Sequence, residues 1–144
     1  PCDLLRRPES TLDTAWAQGL LVDAYPRLIA MGEPQKIQTM WKLYDQYQLT
    51  SDTFTPYFSG KNRALKDNPS VLVSYYNTGR ALLLVVSNYW NDDAQEVTLD
   101  LKAFKGLGAT CKDAWSDTEY DLVDNKVTMT VGSKVSRLIV IEKR

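Results

Sequence analysis

Apolar residues recur at helical spacing in the first third of the chain and in short, strand-length runs in its second half, with the change near residue 50. Leu12, Ala15, Trp16, Gly19 and Leu20 share one face of a 3.6-residue period. Ser10 and Thr11 precede them as N-cap candidates, and Ser10 with Asp13 three residues later approximates a capping box. Pro26 is expected to end or kink this helix near Tyr25, because proline lacks an amide donor and disfavours helical geometry at the residue before it. Leu28, Ile29 and Met31 carry the apolar run on to Gly32. A second helix follows, with Gly32 as a stop, Pro34 at a first-turn position, and Ile37, Met40, Trp41, Tyr44 and Tyr47 along one side. Gln35, Lys36, Gln38, Lys42 and Gln46 occupy its other side. The apolar stripe reads as the face that packs on neighbouring structure.

Residues 51–70 read as a connector, since Thr50, Ser51, Asp52, Pro56, Ser59, Gly60, Asn68 and Pro69 supply turn chemistry with little periodicity. Phe54, Tyr57 and Phe58 are its apolar anchors. From residue 71 to the end, short strands alternate with turn signals, as in an all-β domain. Strands are predicted over 71–76, 81–88, 97–101, 109–115, 120–123, 126–131 and 135–141. Asn77, Thr78, Gly79 and Arg80 form a hairpin loop between the first two. The run Ala81, Leu82, Leu83, Leu84, Val85, Val86 is apolar on both faces, which predicts a central strand covered on both sides, with the helices as the second cover. Val97, Leu99 and Leu101 alternate with Thr98 and Asp100, as a half-buried strand requires. The expected fold is α+β: a helical segment over 1–50, then an antiparallel β-sandwich of about seven strands over 71–144.

Composition narrows the chemistry. The 144 residues, 44% hydrophobic and 24% charged, suit one core with a helical annex. Seventeen basic and 18 acidic residues, well interspersed, leave a net charge of -1 and no field that would draw nucleic acid or an anionic membrane. The chain holds no histidine, which removes Ser-His-Asp and Cys-His nucleophilic arrangements and the histidine general base together. Cys2 and Cys111 cannot form the usual structural zinc site. They are either a disulfide or two unpaired thiols with Cys111 buried in a strand. Gly106, Leu107 and Gly108 make a turn rather than a phosphate-cradling loop, and no cofactor or metal is implied. Asp13, Asp23 and Asp45 read as solvated or capping groups on helices; Asp92, Asp93, Asp113, Asp117 and Asp124 lie in or near turns. The chain does not begin with Met, and a piece of a longer protein is expected.

A strand ending Leu84, Val85, Val86, Ser87, Asn88 is followed by the alternating strand Val97 to Leu101, by Gly108 and Ala109 leading to Asp113, Ala114 and Trp115, and by a closing Ser136, Arg137, Leu138, Ile139, Val140, Ile141, Glu142. This order resembles the C-terminal β-sandwich that follows the catalytic barrel in many glycoside hydrolases. The resemblance covers about half the chain and implies a non-catalytic C-terminal portion of a carbohydrate-active enzyme, secreted or periplasmic, whose partner is the catalytic domain or chain of the same protein. It further implies that the helical segment 1–50 is the end of that barrel. A barrel of roughly 250 residues does not fit in this length, so the paired carboxylates, about 5–9 Å apart, are expected outside it. Two other readings stay open. In an independent carbohydrate-binding module, Tyr57, Phe58, Tyr89 and Trp90 would stack on sugar rings. In a structural or protein-interaction sandwich, the exposed aromatics and the helices would form an interface.

Overall fold

The computed structural model describes residues 12–24 and 34–144. Ser10, Thr11, Cys2, Pro26, Leu28, Ile29 and Met31, and the readings placed on them, lie outside the described residues. The described chain forms three layers: two helices, a six-stranded sheet and a three-stranded sheet, all strand pairs antiparallel.

Helix α1 (Leu12–Gly19) tightens into a 3₁₀ turn (Leu20–Val22) that ends at Asp23 in the left-handed conformation, φ 56°. Trp16 and Leu20 are buried as the spacing predicts, with Ala17, Leu21 and Thr14 beside them, whereas Leu12, Ala15 and Gly19 are half-buried. Helix α2 (Pro34–Tyr47) starts at its proline and buries Ile37, Met40, Leu43 and Tyr47. Trp41, predicted on the packed stripe, is instead 57% exposed. Each residue turns the helix by about 100°, so the step from Met40 to Trp41 leaves the buried face, which continues through Leu43.

The six-stranded sheet has the order β1 (Phe54–Thr55), β3 (Leu72–Asn77), β4 (Ala81–Ser87), β9 (Ser136–Glu142), β6 (Thr110–Asp113) and β7 (Glu119–Asp121). The second sheet has the order β2 (Leu65–Lys66), β5 (Gln95–Asp100) and β8 (Lys126–Val131). All seven predicted strands are present with boundaries within two residues of those expected, β8 matching at both ends, and β1 and β2 are additional, inside the connector. Two residues are too few to show alternation; what makes them strands is their partners, Phe54 opposite Tyr76 and Leu65 opposite Asp100.

Strand β4 is buried at every position, and its two faces serve two cores. Leu82, Leu84 and Val86 pack against Val97, Leu99, Val127 and Met129 of the second sheet. Ala81, Leu83 and Val85, with Leu138 and Val140 of β9, pack against Trp16, Leu20, Ile37, Met40 and Tyr47 of the helices. The period of two sends successive side chains to opposite layers, so a run apolar on both faces must be covered twice. Two buried hydroxyls bridge the helix–sheet interface: Ser87 donates to Ala17 O at 2.8 Å and Ser74 to Leu21 O at 2.8 Å, whereas the buried Trp16 Nε1 has no hydrogen-bond partner among the described residues. Both acceptors are carbonyls that the end of a helix leaves without an intrahelical partner.

Candidate functional site

The four aromatics singled out from sequence form two separate pairs. Tyr57 and Phe58 follow β1 and meet edge to face, centroids 5.2 Å apart and planes at 86°. Tyr57 is 37% and Phe58 68% exposed. Their loop is tied to the sheet where the Tyr57 amide donates to Ser74 Oγ at 2.8 Å and Asn62 Nδ2 donates to Val73 O at 2.8 Å. Tyr89 and Trp90, in the turn after β4, stack at 5.9 Å with planes 18° apart. Trp90 is 56% exposed, and its indole Nε1 donates to Ser70 O at 2.7 Å. Tyr89 is half-buried against the helix–sheet core. One pair is thus tied to Ser70, just before β3, and the other to Ser74 within it, and no ring contact joins them among the described residues. Phe54, the third connector aromatic, tilts against Tyr76 at 4.8 Å and serves the helix–sheet core.

The turn that carries Trp90 is fixed by Asn88. This wholly buried side chain donates through Nδ2 to Asp93 O, Val131 O and Gly132 O at 2.9, 3.2 and 3.0 Å, and its Oδ1 accepts from Asn91 Nδ2. A neutral amide suits the place, since its N–H groups face three carbonyls.

Several carboxylates have structural partners. Asp113 is fully buried; it accepts from the Trp115 amide at 3.0 Å, from Ser116 Oγ at 3.2 Å and from Arg137 Nη1 at 3.2 Å. Asp13 pairs with Lys36, Asp117 with Lys112 at 2.9 Å, and Asp92 with Lys134 at 2.8 Å. The Lys134 ammonium, by hydrogen bond and charge, holds the Asp92 carboxyl below its ordinary range. Asp124 sits at φ 52° in the turn between β7 and β8. Asp23 caps the 3₁₀ turn, as its helix-end reading allows, but also accepts from the hydroxyls of Tyr76 and, at 2.9 Å, Tyr44. Burial, followed by the hydrogen bond to Asp23, pushes Tyr76 well above its ordinary value. Burial raises Tyr44 to about 12. Neither this cluster nor the Asp113–Arg137 pair is visible in local sequence, because each joins elements distant in the chain. Among the described residues no group of three or more Cys, Asp or Glu side chains is placed to hold a metal ion.

Cys111 is a free, buried thiol in β6, as one of the two sequence readings has it; burial, and then the charge of Asp121, push it up to about 12. No described helix is long and apolar enough to cross a membrane.

The fold is thus an antiparallel sandwich backed by helices, with two separate, partly exposed aromatic pairs near β3. The family model of the glycoside hydrolase 123 C-terminal domain matches residues 36–136, and the chain belongs to that family: it is an accessory C-terminal domain of a glycoside hydrolase. Among solved structures it is similar to a noncanonic maltogenic alpha-amylase from Thermotoga neapolitana, 17% identical with a TM-score of 0.45, over 56% of this chain and 20% of that one. It is also similar to an alpha-amylase from Anoxybacillus, 13% identical with a TM-score of 0.43, over 57% and 18%. A third is alpha-galactosidase I from Mortierella vinacea, 14% identical with a TM-score of 0.41, over 54% and 22%. The chain spans about a fifth of the length of these proteins. No curated protein matches it.

Proposed function

We propose that this domain packs beside the catalytic domain of the same protein and stabilises it, and that glycosidic hydrolysis is carried by carboxylates of that other domain. The observation that carries the reading is the family match across residues 36–136. The two cores add physical support: β4 couples the helices to both sheets, giving a rigid body against which a neighbouring domain is held. The helical segment 1–50 is, on this reading, the closing part of the catalytic barrel; α1 lies before the family match, which begins inside α2.

The test compares the full-length protein that carries this domain with a form lacking residues 51–144. Deletion is expected to lower the melting temperature of the catalytic domain and its yield of soluble enzyme, while the isolated 144-residue chain cleaves no aryl glycoside. Hydrolysis by the isolated chain, or a deletion form as stable and active as the intact protein, would overturn the reading.

A second reading, saccharide stacking on the exposed aromatics, is favoured by one observation. Trp90 is held from both sides, by the Tyr89 ring and by the bond to Ser70 O, and a platform already ordered loses little entropy on binding. Tyr57 and Phe58 form a second, separate aromatic pair, tied to β3 through the Tyr57 amide. Oligosaccharide binding that is lost in Trp90→Ala, with folding intact, supports it; binding unaffected by that change removes it.

A further inference from the structure

A polar cleft of about 240 Å³ lies at the β1 edge of the sandwich, apart from both aromatic pairs. It arises because the second sheet has three strands against the first sheet's six, so that the face of β1 and β3 turned towards it is not fully covered. Thr55 and Tyr75 are register partners and project from one face, and Asn77 lies two residues further along it. Tyr75 belongs to the inter-sheet core and meets Phe104 edge to face at 5.0 Å, which gives the cleft a narrow apolar wall. The 3₁₀ turn Ser51–Thr53 contributes Asp52, and the loop between β1 and β2 contributes Arg63.

Part of this polar lining is already used. Tyr75 OH donates to Lys61 O and accepts from the Arg63 amide, both at 3.4 Å, and Thr53 Oγ1 is bonded to Thr50. Asn77 Oδ1 accepts from Lys143 Nζ at 2.6 Å. What remains is the Asp52 carboxylate, the Arg63 guanidinium, the Thr55 hydroxyl and the Asn77 amide N–H. Among the described residues none of these four has a hydrogen bond or an ion pair, and Asp52 and Arg63 do not pair with each other.

A donor and an acceptor of opposite charge, lining one cleft without meeting, are complementary to a ligand that both donates and accepts over adjacent atoms. Vicinal hydroxyls do this: each donates a hydrogen bond to a carboxylate and accepts one from a guanidinium. Tyr75 and Phe104, 4% and 7% exposed, show only a narrow apolar edge to the cleft, which suits contact with a few C–H groups of a sugar ring and not stacking on its face. The volume lies below the roughly 300–1,000 Å³ of clefts that enclose drug-sized molecules, which limits the ligand to a single ring. We propose that this cleft binds one neutral monosaccharide unit, with Arg63 and Asn77 donating, Asp52 accepting, Thr55 doing either and Phe104 with Tyr75 forming the wall. The proposal rests neither on the aromatic platform nor on docking to a catalytic domain.

The test is a titration of the 144-residue chain followed by amide NMR, using glucose, galactose, mannose and xylose as neutral probes, glucuronate as an anion and glycine as a zwitterion. At least one neutral sugar is expected to give saturable shifts at the amides of Thr55, Arg63, Asn77 and Phe104. Asp52→Asn and Arg63→Gln, both at exposed positions, are each expected to weaken that binding about tenfold, the effect of one lost charge-assisted bond. Trp90→Ala is expected to leave it unchanged. No saturable shift from any neutral sugar, saturation by glucuronate or glycine alone, or an affinity that survives both cleft substitutions would each overturn the proposal. Shifts centred on Trp90 and lost in Trp90→Ala would overturn it too, in favour of the aromatic platform.

Discussion

Asn88 shows how one side chain holds a turn that carries exposed chemistry. Its amide donates to three carbonyls and accepts from Asn91, all where water is excluded. Aspartate has almost the same shape but replaces the donor with an oxygen aimed at those carbonyls. Asn88→Asp therefore exchanges attraction for repulsion and adds a buried charge, and is expected to destabilise the fold by about 3 kcal/mol or more. Urea unfolding followed by far-UV circular dichroism measures this as a fall in midpoint; a loss under about 0.5 kcal/mol would show that the turn tolerates the change. In the sequence Asn88 is a polar residue after an apolar strand, and its position is visible there, whereas its partners are not. Asp93 and Asn91 are near in the chain, but Val131 and Gly132 arrive only when β8 packs beneath β4. Asp113 is alike: a turn-former by its neighbours, a buried partner of Arg137 once β9 lies beside β6.

At the scale of elements, what was legible depended on length and on how many faces were buried. Strand β4 could be placed between two covers from its sequence because an apolar run admits no polar face, and β5 could be given one buried face because Val97, Leu99 and Leu101 alternate with polar residues. The phase of α2 was less legible. Its aromatics lie close enough together to suggest one stripe, yet the buried line runs Ile37, Met40, Leu43, Tyr47 and leaves Trp41 in solvent among Gln38, Lys42 and Asp45. Aromatic residues enlarge an apparent stripe whichever way they point. The structural phase separates two neighbouring substitutions. Met40→Ala empties space in the helix–sheet core and is expected to cost about 2–5 kcal/mol, while Trp41→Ala is expected to change stability by less than about 0.5 kcal/mol. Urea midpoints at constant slope compare the two directly, and equal losses would mean that α2 is rotated from the orientation described. The short strands β1 and β2 were not legible at all, since pairing with β3 and β5 and not pattern defines them.

The whole molecule has a pH dependence set by protonated groups buried in its two interfaces. Tyr44, Tyr47 and Tyr76 lie between the helices and the six-stranded sheet, and Cys111 lies between the sheets. Burial is the main cause of the upward shift in each, taking Tyr44, Tyr47 and Cys111 to about 12 from ordinary values of 10.0 for tyrosine and 9.0 for the thiol, with Tyr76 higher still. Glu142 adds to the shift of Tyr47, whose hydroxyl donates to it at 2.7 Å. These groups are neutral when protonated, so above pH 9 the unfolded chain releases protons that the folded chain keeps. Where the folded state binds more protons, stability falls as pH rises. Their contribution is therefore complete below pH 9 and is lost progressively as pH climbs towards 12. Lys66 and Lys143 act in the opposite sense, since burial lowers both; their unfolded forms hold protons longer and stability gains slightly in the same range. With four buried groups against two, three of the four tied to the helix–sheet interface, and with exposed Lys112, raised by its hydrogen bond to Asp117, acting in the same sense as the four, the fall dominates. Urea midpoints are expected to stay level from neutral pH to about 9 and then to decline steadily, with Tyr76→Phe flattening the decline because it removes the most shifted group. A midpoint that stays level or rises between pH 9 and 12 would mean that these hydroxyls and the thiol are open to solvent, and that the helices do not seal the sheet.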